Sequence, residues 1–170
     1  MPTGADATVG LDDRWGEIVE ADLTGALDVS ACERLEIRGS VLRGVTVVGD
    51  GTLALDVART SFVDCDLSAV KLATVTDSEF TGCKLSGIDG GSAVVRDVVW
   101  AECAMRVSAF RLAQFERVEL RGCEIHDLDL AEATLVHVAV PGSRLREVRL
   151  DQARFDHVDL RARWPWTYSA

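Results

Sequence analysis

The sequence of 170 residues predicts an all-β solenoid, a square coil of stacked strands about six to seven turns long. Three observations predict it. Every fifth residue from Val75 to Leu160 is large and apolar at seventeen of eighteen places, with Gly90 the exception, where 48% apolar content would supply about half by chance. The residues two places earlier, from Ala73 through Cys83, Cys103 and Cys123 to Val158, are small or aliphatic and never charged. Helices repeat every 3.6 residues and strands every 2, so neither yields a period of five.

Closure explains the pattern. If five residues form one side of a square, two point inward and three face water, and twenty residues complete a coil. Residues twenty apart then stack at strand spacing, roughly 4.8 Å. Phe115, Leu135 and Phe155 are expected in one internal column, and Leu85, Met105, Ile125 and Leu145 in another. Each coil buries its apolar pair only against its neighbours. The core is expected to be packed solid, which leaves no room for a small molecule.

Taken in chain order, residues 1–24 read as an N-terminal cap, with Trp15 and Ile18 covering the open edge of the first coil. Residues 25–162 form the repeat region. Its first half follows a register of its own, with Ile37, Leu42, Val47, Val57, Phe62, Leu67 and Leu72 central. At Gly49-Asp50-Gly51-Thr52 the frame would bury Asp50, so this stretch is expected to bulge as a turn. From Leu72 to Val75 the spacing is three, which predicts an irregular corner near 70–75. A third defect is Ile88-Asp89-Gly90-Gly91, where Gly90 leaves a central position empty. Residues 163–170 close the other end, and Trp164, Trp166 and Tyr168 there suit either a cap or a homodimer contact.

A small residue, a polar one, Leu or Phe, then two polar residues is the motif of SEFTG, CKLSG, VELRG, CEIHD, ATLVH and VDLRA. Over roughly residues 25–162 the chain therefore resembles the pentapeptide-repeat proteins. The resemblance implies a right-handed quadrilateral parallel β-helix. The chain departs from the strongest form of the pattern by using Val often at the centre and never Asn before it. Some members resemble duplex DNA in width and charge, occupy the DNA-binding saddle of DNA gyrase and protect it from quinolones or toxins. Others dimerise through their C-terminal ends. One expectation is therefore a non-enzymatic DNA-mimic ligand whose partner is gyrase or another basic-surfaced protein, and the alternative is a generic protein–protein interaction scaffold of unknown partner.

Charge bears on that choice. The net charge of −10 disfavours direct binding to nucleic acid or to an anionic membrane. Residues 1–90 hold sixteen acids and seven bases, and residues 91–170 hold twelve and eleven. Asp56, Asp64, Asp66, Asp77, Glu79 and Asp89 are thus the candidate acidic interaction surface. About 26 repeats span roughly 31 Å, over which duplex DNA carries about 18 charges. The chain as a whole falls short of that density, and its N-terminal half comes nearer.

Catalytic and metal chemistry find little footing. Four cysteines, Cys65, Cys83, Cys103 and Cys123, take small inward positions, where Cys is an ordinary apolar filler. His137 and His157 lie twenty apart near Asp156, a pair short of a full metal ligand set. No nucleophile–base pair or phosphate-cradling loop stands out, so no enzyme, cofactor or metal is expected. With neither a signal-like start nor an apolar run long enough to span a bilayer, the expected location is cytoplasmic.

Overall fold

Two inward side chains in every five oblige the backbone to turn at each fifth residue, and the corners show how it does so. The third outward residue of a side takes positive φ along whole columns, as at Arg59, Asp77, Asp97, Arg117, His137 and His157, with φ between 48° and 56°. The structure, a computed structural model, describes residues 9–10, 14–49 and 53–161. Among these it contains strands and turns and no helix, and no helix long and apolar enough to cross a membrane.

The strands pair in parallel, one coil on the next, twelve in one sheet and three in a second. Phe115 pairs with Leu135 and Leu135 with Phe155, while Met105 pairs with Ile125 and Ile125 with Leu145. The columns expected from the period of five are the columns observed. The result is a four-sided parallel β-solenoid of about seven turns.

Four faces follow from the pairing. The first has Ile37, Val57, Val75, Val95, Phe115 and Leu135 at its centre. The second has Leu42, Phe62, Phe80, Trp100 and Leu120. Leu67, Leu85, Met105, Ile125 and Leu145 lie on the third, and Leu72, Gly90, Phe110, Leu130 and Leu150 on the fourth. Nearly all of these are buried in one continuous apolar core.

Pairing also reaches ahead of residue 25. Trp15–Val19 lies on Arg34–Arg38, Asp22–Asp28 on Val41–Val48, and Val9–Gly10 on Leu27–Asp28. The segment read from sequence as a cap therefore contributes strands to the coil. Within it Ile18 is buried, and Trp15 projects into solvent at 57% exposure.

Each frame defect within the described residues has a local answer. Leu55 pairs with Leu72 but Asp56 with Thr74, so Ala73 is squeezed out of register and is only half-buried. Leu72 takes the inward place that Ala73 would have filled. At Gly90 the missing side chain is replaced by the Phe110 ring from the next coil, which lies where a Cβ would stand. The predicted turn at Asp50, Gly51 and Thr52 falls outside the described residues, as do Trp164, Trp166 and Tyr168.

Inward polar residues stitch coils together. Ser40 Oγ accepts the Ala21 N–H at 3.1 Å and donates to the Arg38 carbonyl at 2.9 Å. Thr60 and Ser78 continue the ladder, the Ser78 hydroxyl accepting the Thr60 N–H at 3.1 Å. The cysteine column works similarly: Cys103 Sγ donates to the Phe80 carbonyl at 3.3 Å, and Cys123 Sγ to that of Trp100 at 3.2 Å. Hydrogen bonding to Cys123, with burial, pushes the Cys103 thiol up from its ordinary range. These thiols are structural donors in a dry column.

The core departs from the expectation of solid packing. A cavity of about 640 Å³ runs along the axis of the C-terminal coils, from Trp100 to Leu160. Two central positions shrink along the solenoid, Trp100 giving way to Val140 and Phe110 to Leu150 two coils later. Less side-chain volume then fills the same perimeter of twenty residues.

Candidate interaction surface

Outward positions occur three to a side, and the register decides which charges meet. The six acids singled out from sequence do not form one surface. Asp56 lies on the first face, paired with Glu36 and Thr74, and its Oδ2 is 2.6 Å from Arg34 Nε. Asp66 lies on the third, accepts the Ser68 N–H at 3.1 Å and has Lys84 Nζ at 3.9 Å. Asp89 lies on the fourth, accepting the Gly91 N–H at 3.0 Å. Counting charge by halves of the chain pooled residues that a four-sided coil sends in four directions.

The other three do come together, around the second face. Glu79 stands between Ser61 and Val99 in the ladder. Asp77 takes the corner before it and Asp64 the corner after it, one coil below, both at positive φ. The next coil adds Asp97 and Glu102 at the equivalent corners, also at positive φ. Sequence reading missed these two because they fall beyond residue 90; a step of twenty from Asp77 reaches Asp97, whereas Glu102 lies 38 residues from Asp64 because the coil between them is two residues short. Between Ser61 and Glu102 the outward residues of this face are Val63, Thr81, Gly82, Val99 and Ala101 with the five acids, while the corner column of Asp77 and Asp97 has Arg59 one coil below and Arg117, paired with Asp97, one coil above. Hydrogen bonding to Arg117 at 2.8 Å holds the Asp97 carboxyl below its usual range, so Asp97 is charged at neutral pH.

Elsewhere the charges alternate. Arg43 meets Asp22 at 2.8 Å, Arg96 meets Glu116 at 2.9 Å, Arg144 meets Glu124 at 3.3 Å and Arg111 meets Asp129 at 3.4 Å. Arg38 pairs with Glu17 and Arg161 with Asp159. Each joins residues about one coil apart or two residues apart on one strand. Such exposed pairs add little stability, but they cancel the field over most of the surface.

His137 and His157 stack at the corner of the last coils, ring centroids 4.9 Å apart, with His157 Nδ1 2.6 Å from Asp156. Among the described residues, no group of three or more His, Cys, Asp or Glu is arranged to hold a metal ion.

Coils in register at twenty residues, two inward residues per side and a left-handed residue at the corners together decide the classification. The chain has the fold of a four-sided parallel β-solenoid with a five-residue repeat. No protein-family model and no curated protein matches it. Solved structures similar to this chain include full-length QnrB1, a plasmid-mediated fluoroquinolone resistance protein, at 17% identity and TM-score 0.43 over 86% of this chain and 85% of that one. Rfr23, a pentapeptide-repeat protein from the cyanobacterium Cyanothece 51142, is 12% identical with TM-score 0.38, over 90% and 91% of the two chains. HetL from Nostoc sp. strain PCC 7120, involved in heterocyst differentiation regulation, is 14% identical with TM-score 0.26, over 86% of each.

Proposed function

We propose that this β-solenoid is a non-enzymatic protein-binding module of the pentapeptide-repeat type that docks a basic protein surface on its second face, around Asp64, Asp77, Glu79, Asp97 and Glu102. The carrying observation is that five acids stand over three consecutive coils around one face, of which Asp97 is paired with Arg117 and Arg59 and Arg117 bound the cluster at either end, on a molecule whose other charges are largely matched. Strand-borne Val63, Thr81, Val99 and Ala101 between them leave a flat surface for a partner to approach.

A more specific reading is mimicry of DNA toward the DNA-binding groove of a topoisomerase such as gyrase. Three coils occupy roughly 14 Å, over which duplex DNA carries about 8 charges. Five acids on one face come near that density, although the net charge of −10 over the full chain does not. The alternating ladders elsewhere oppose mimicry over the whole length.

Gyrase supercoiling tests both readings, with purified protein added at two salt concentrations, with and without a quinolone. The comparison variant carries Asp64→Asn, Asp77→Asn, Glu79→Gln and Glu102→Gln, all exposed or half-exposed. Inhibition or drug protection at micromolar protein, weakened by salt and lost in the variant, is the expected result. Equal activity of the variant would remove the second face as the docking surface. No effect up to tens of micromolar would remove gyrase and leave a scaffold for another basic partner.

A further inference from the structure

The fourth face points away from the proposed docking face, and one coil of it carries two residues that the monomer does not use. Val107 and Leu112 stand at its two corners, 65% and 54% exposed, with a coil below and a coil above. Both hold a left-handed backbone, φ 50° and 60°, which suits a β-branched or bulky side chain badly. Closure of the coil imposes that backbone on each corner, but nothing packed against these corners calls for Val or Leu there. Local rules broken without a gain inside the molecule point to a working surface.

The coil below is shaped to match. Gly87 and Ser92 hold its equivalent corners and Gly91 lies between them, all exposed, so a notch runs beside the ridge of Val107 and Leu112. Arg111, the long side chain of the ridge, reaches away from the notch, to Asp129 at 3.4 Å and Glu132 at 3.5 Å in the coil above. One coil below the notch, beside Asp89, Lys71 forms no ion pair among the described residues. Ridge and notch side by side on one face fit a second copy of that face, because a two-fold contact must be self-complementary.

Charge selects the direction of the two-fold axis. An axis along the solenoid lays the copies parallel, which sets Val107 on the partner's Leu112 but also Asp127 on the partner's Glu132, acid against acid. An axis across the face, between the coils of Gly87 and Val107, lays them antiparallel. Val107 then meets the partner's Gly87, Leu112 meets the partner's Ser92 and Lys71 meets the partner's Asp129, each contact made twice. We propose that the fourth face is a self-association surface on which two copies pack antiparallel, ridge into notch. The five coils from Lys71 to Arg149 offer about 24 Å by 15 Å, under half of the roughly 800 Å² per partner in a stable interface. The dimer is therefore weak and reversible, and it leaves the second face of each copy outward. The surface lies apart from the acids of the second face and does not rest on their reading.

Sedimentation of the full chain from low micromolar to millimolar protein should show a reversible rise from the mass of one chain toward that of two. Val107→Asn with Leu112→Asn removes the ridge with residues that tolerate the same backbone, and should stay folded and monomeric throughout. Lys71→Glu should weaken association at least fivefold. Orientation is read from mixtures of single variants, since the described native cysteines are all buried. Ser92→Cys mixed with Leu112→Cys should cross-link under oxidised glutathione, and Val107→Cys mixed with Leu112→Cys should not. The reverse pattern would overturn the antiparallel contact. A chain that stays monomeric to millimolar protein would overturn self-association by this face. So would a dimer that the double Asn variant leaves intact, because the copies would then meet elsewhere.

Discussion

Val107 shows what the square coil demands of single residues. It sits at a corner with φ of 50° and is 65% exposed, so it combines a β-branched side chain with a left-handed backbone and buries little in return. Left-handed geometry costs an ordinary L-residue roughly 1–2 kcal/mol, and Asn pays less because its side chain bonds locally. In the same column Gly87, Asp127 and Glu147 occupy equivalent corners. Val107→Asn should therefore stabilise the protein by about 1 kcal/mol, raising the melting temperature by about 2–4 °C. A fall in melting temperature would mean that Val107 makes a packing contribution that its exposure does not suggest. The positive-φ corners were not anticipated from the sequence. Arg, Asp, Glu, His, Val and Leu all occupy them, so the requirement is imposed by closure of the coil and leaves no residue signature.

Columns of aromatic side chains carry the same lesson to the scale of an element. Phe62 and Phe80 stack at 4.6 Å with their planes within 2°, and Trp100, Phe110 and Phe115 continue the cluster at 5.4–6.3 Å. Phe110 leans onto Gly90 in the coil below, so the two positions form one packing unit. Gly90→Leu should cost about 3 kcal/mol by overpacking. In a Phe110→Leu background the same change should cost less than half as much, because the place is then free. Equal costs in both backgrounds, from urea melts of the four proteins, would show that the ring does not fill the Gly90 position. The period of five located this face and its empty central position. Which neighbour filled it, and the hollow that opens further along the axis, depend on how rings tilt between coils, and a one-dimensional pattern carries no such information. The acids behaved likewise. Their outward orientation was legible residue by residue, but the slips between the two halves and the four-way split hid that Asp64, Asp77 and Glu79 join Asp97 and Glu102 while Asp56, Asp66 and Asp89 face elsewhere.

For the whole molecule, stability is shared among coils that touch only their neighbours, so where a defect lies should decide how much of the fold it removes. Phe80 is fully buried at the middle of the stack, its strand laid between those of Phe62 and Trp100. Leu145 is 9% exposed and has no described coil beyond its own. A carboxylate at either place meets an apolar wall without a partner. Phe80→Asp separates the coils on its two sides and should abolish the cooperative transition, leaving neither half with enough contacts to fold. Leu145→Asp should remove only the terminal coils, keeping most of the β-sheet signal and a cooperative melt at lower temperature. Circular dichroism melts of the two variants distinguish this from a molecule that folds as one indivisible unit, in which both changes would be equally damaging. The comparison also bears on function, because the proposed docking coils, from Ser61 to Glu102, lie on the protected side of Leu145. A Leu145→Asp protein that melts early but still binds its partner would place binding in the central coils, independent of how the C-terminal end is closed.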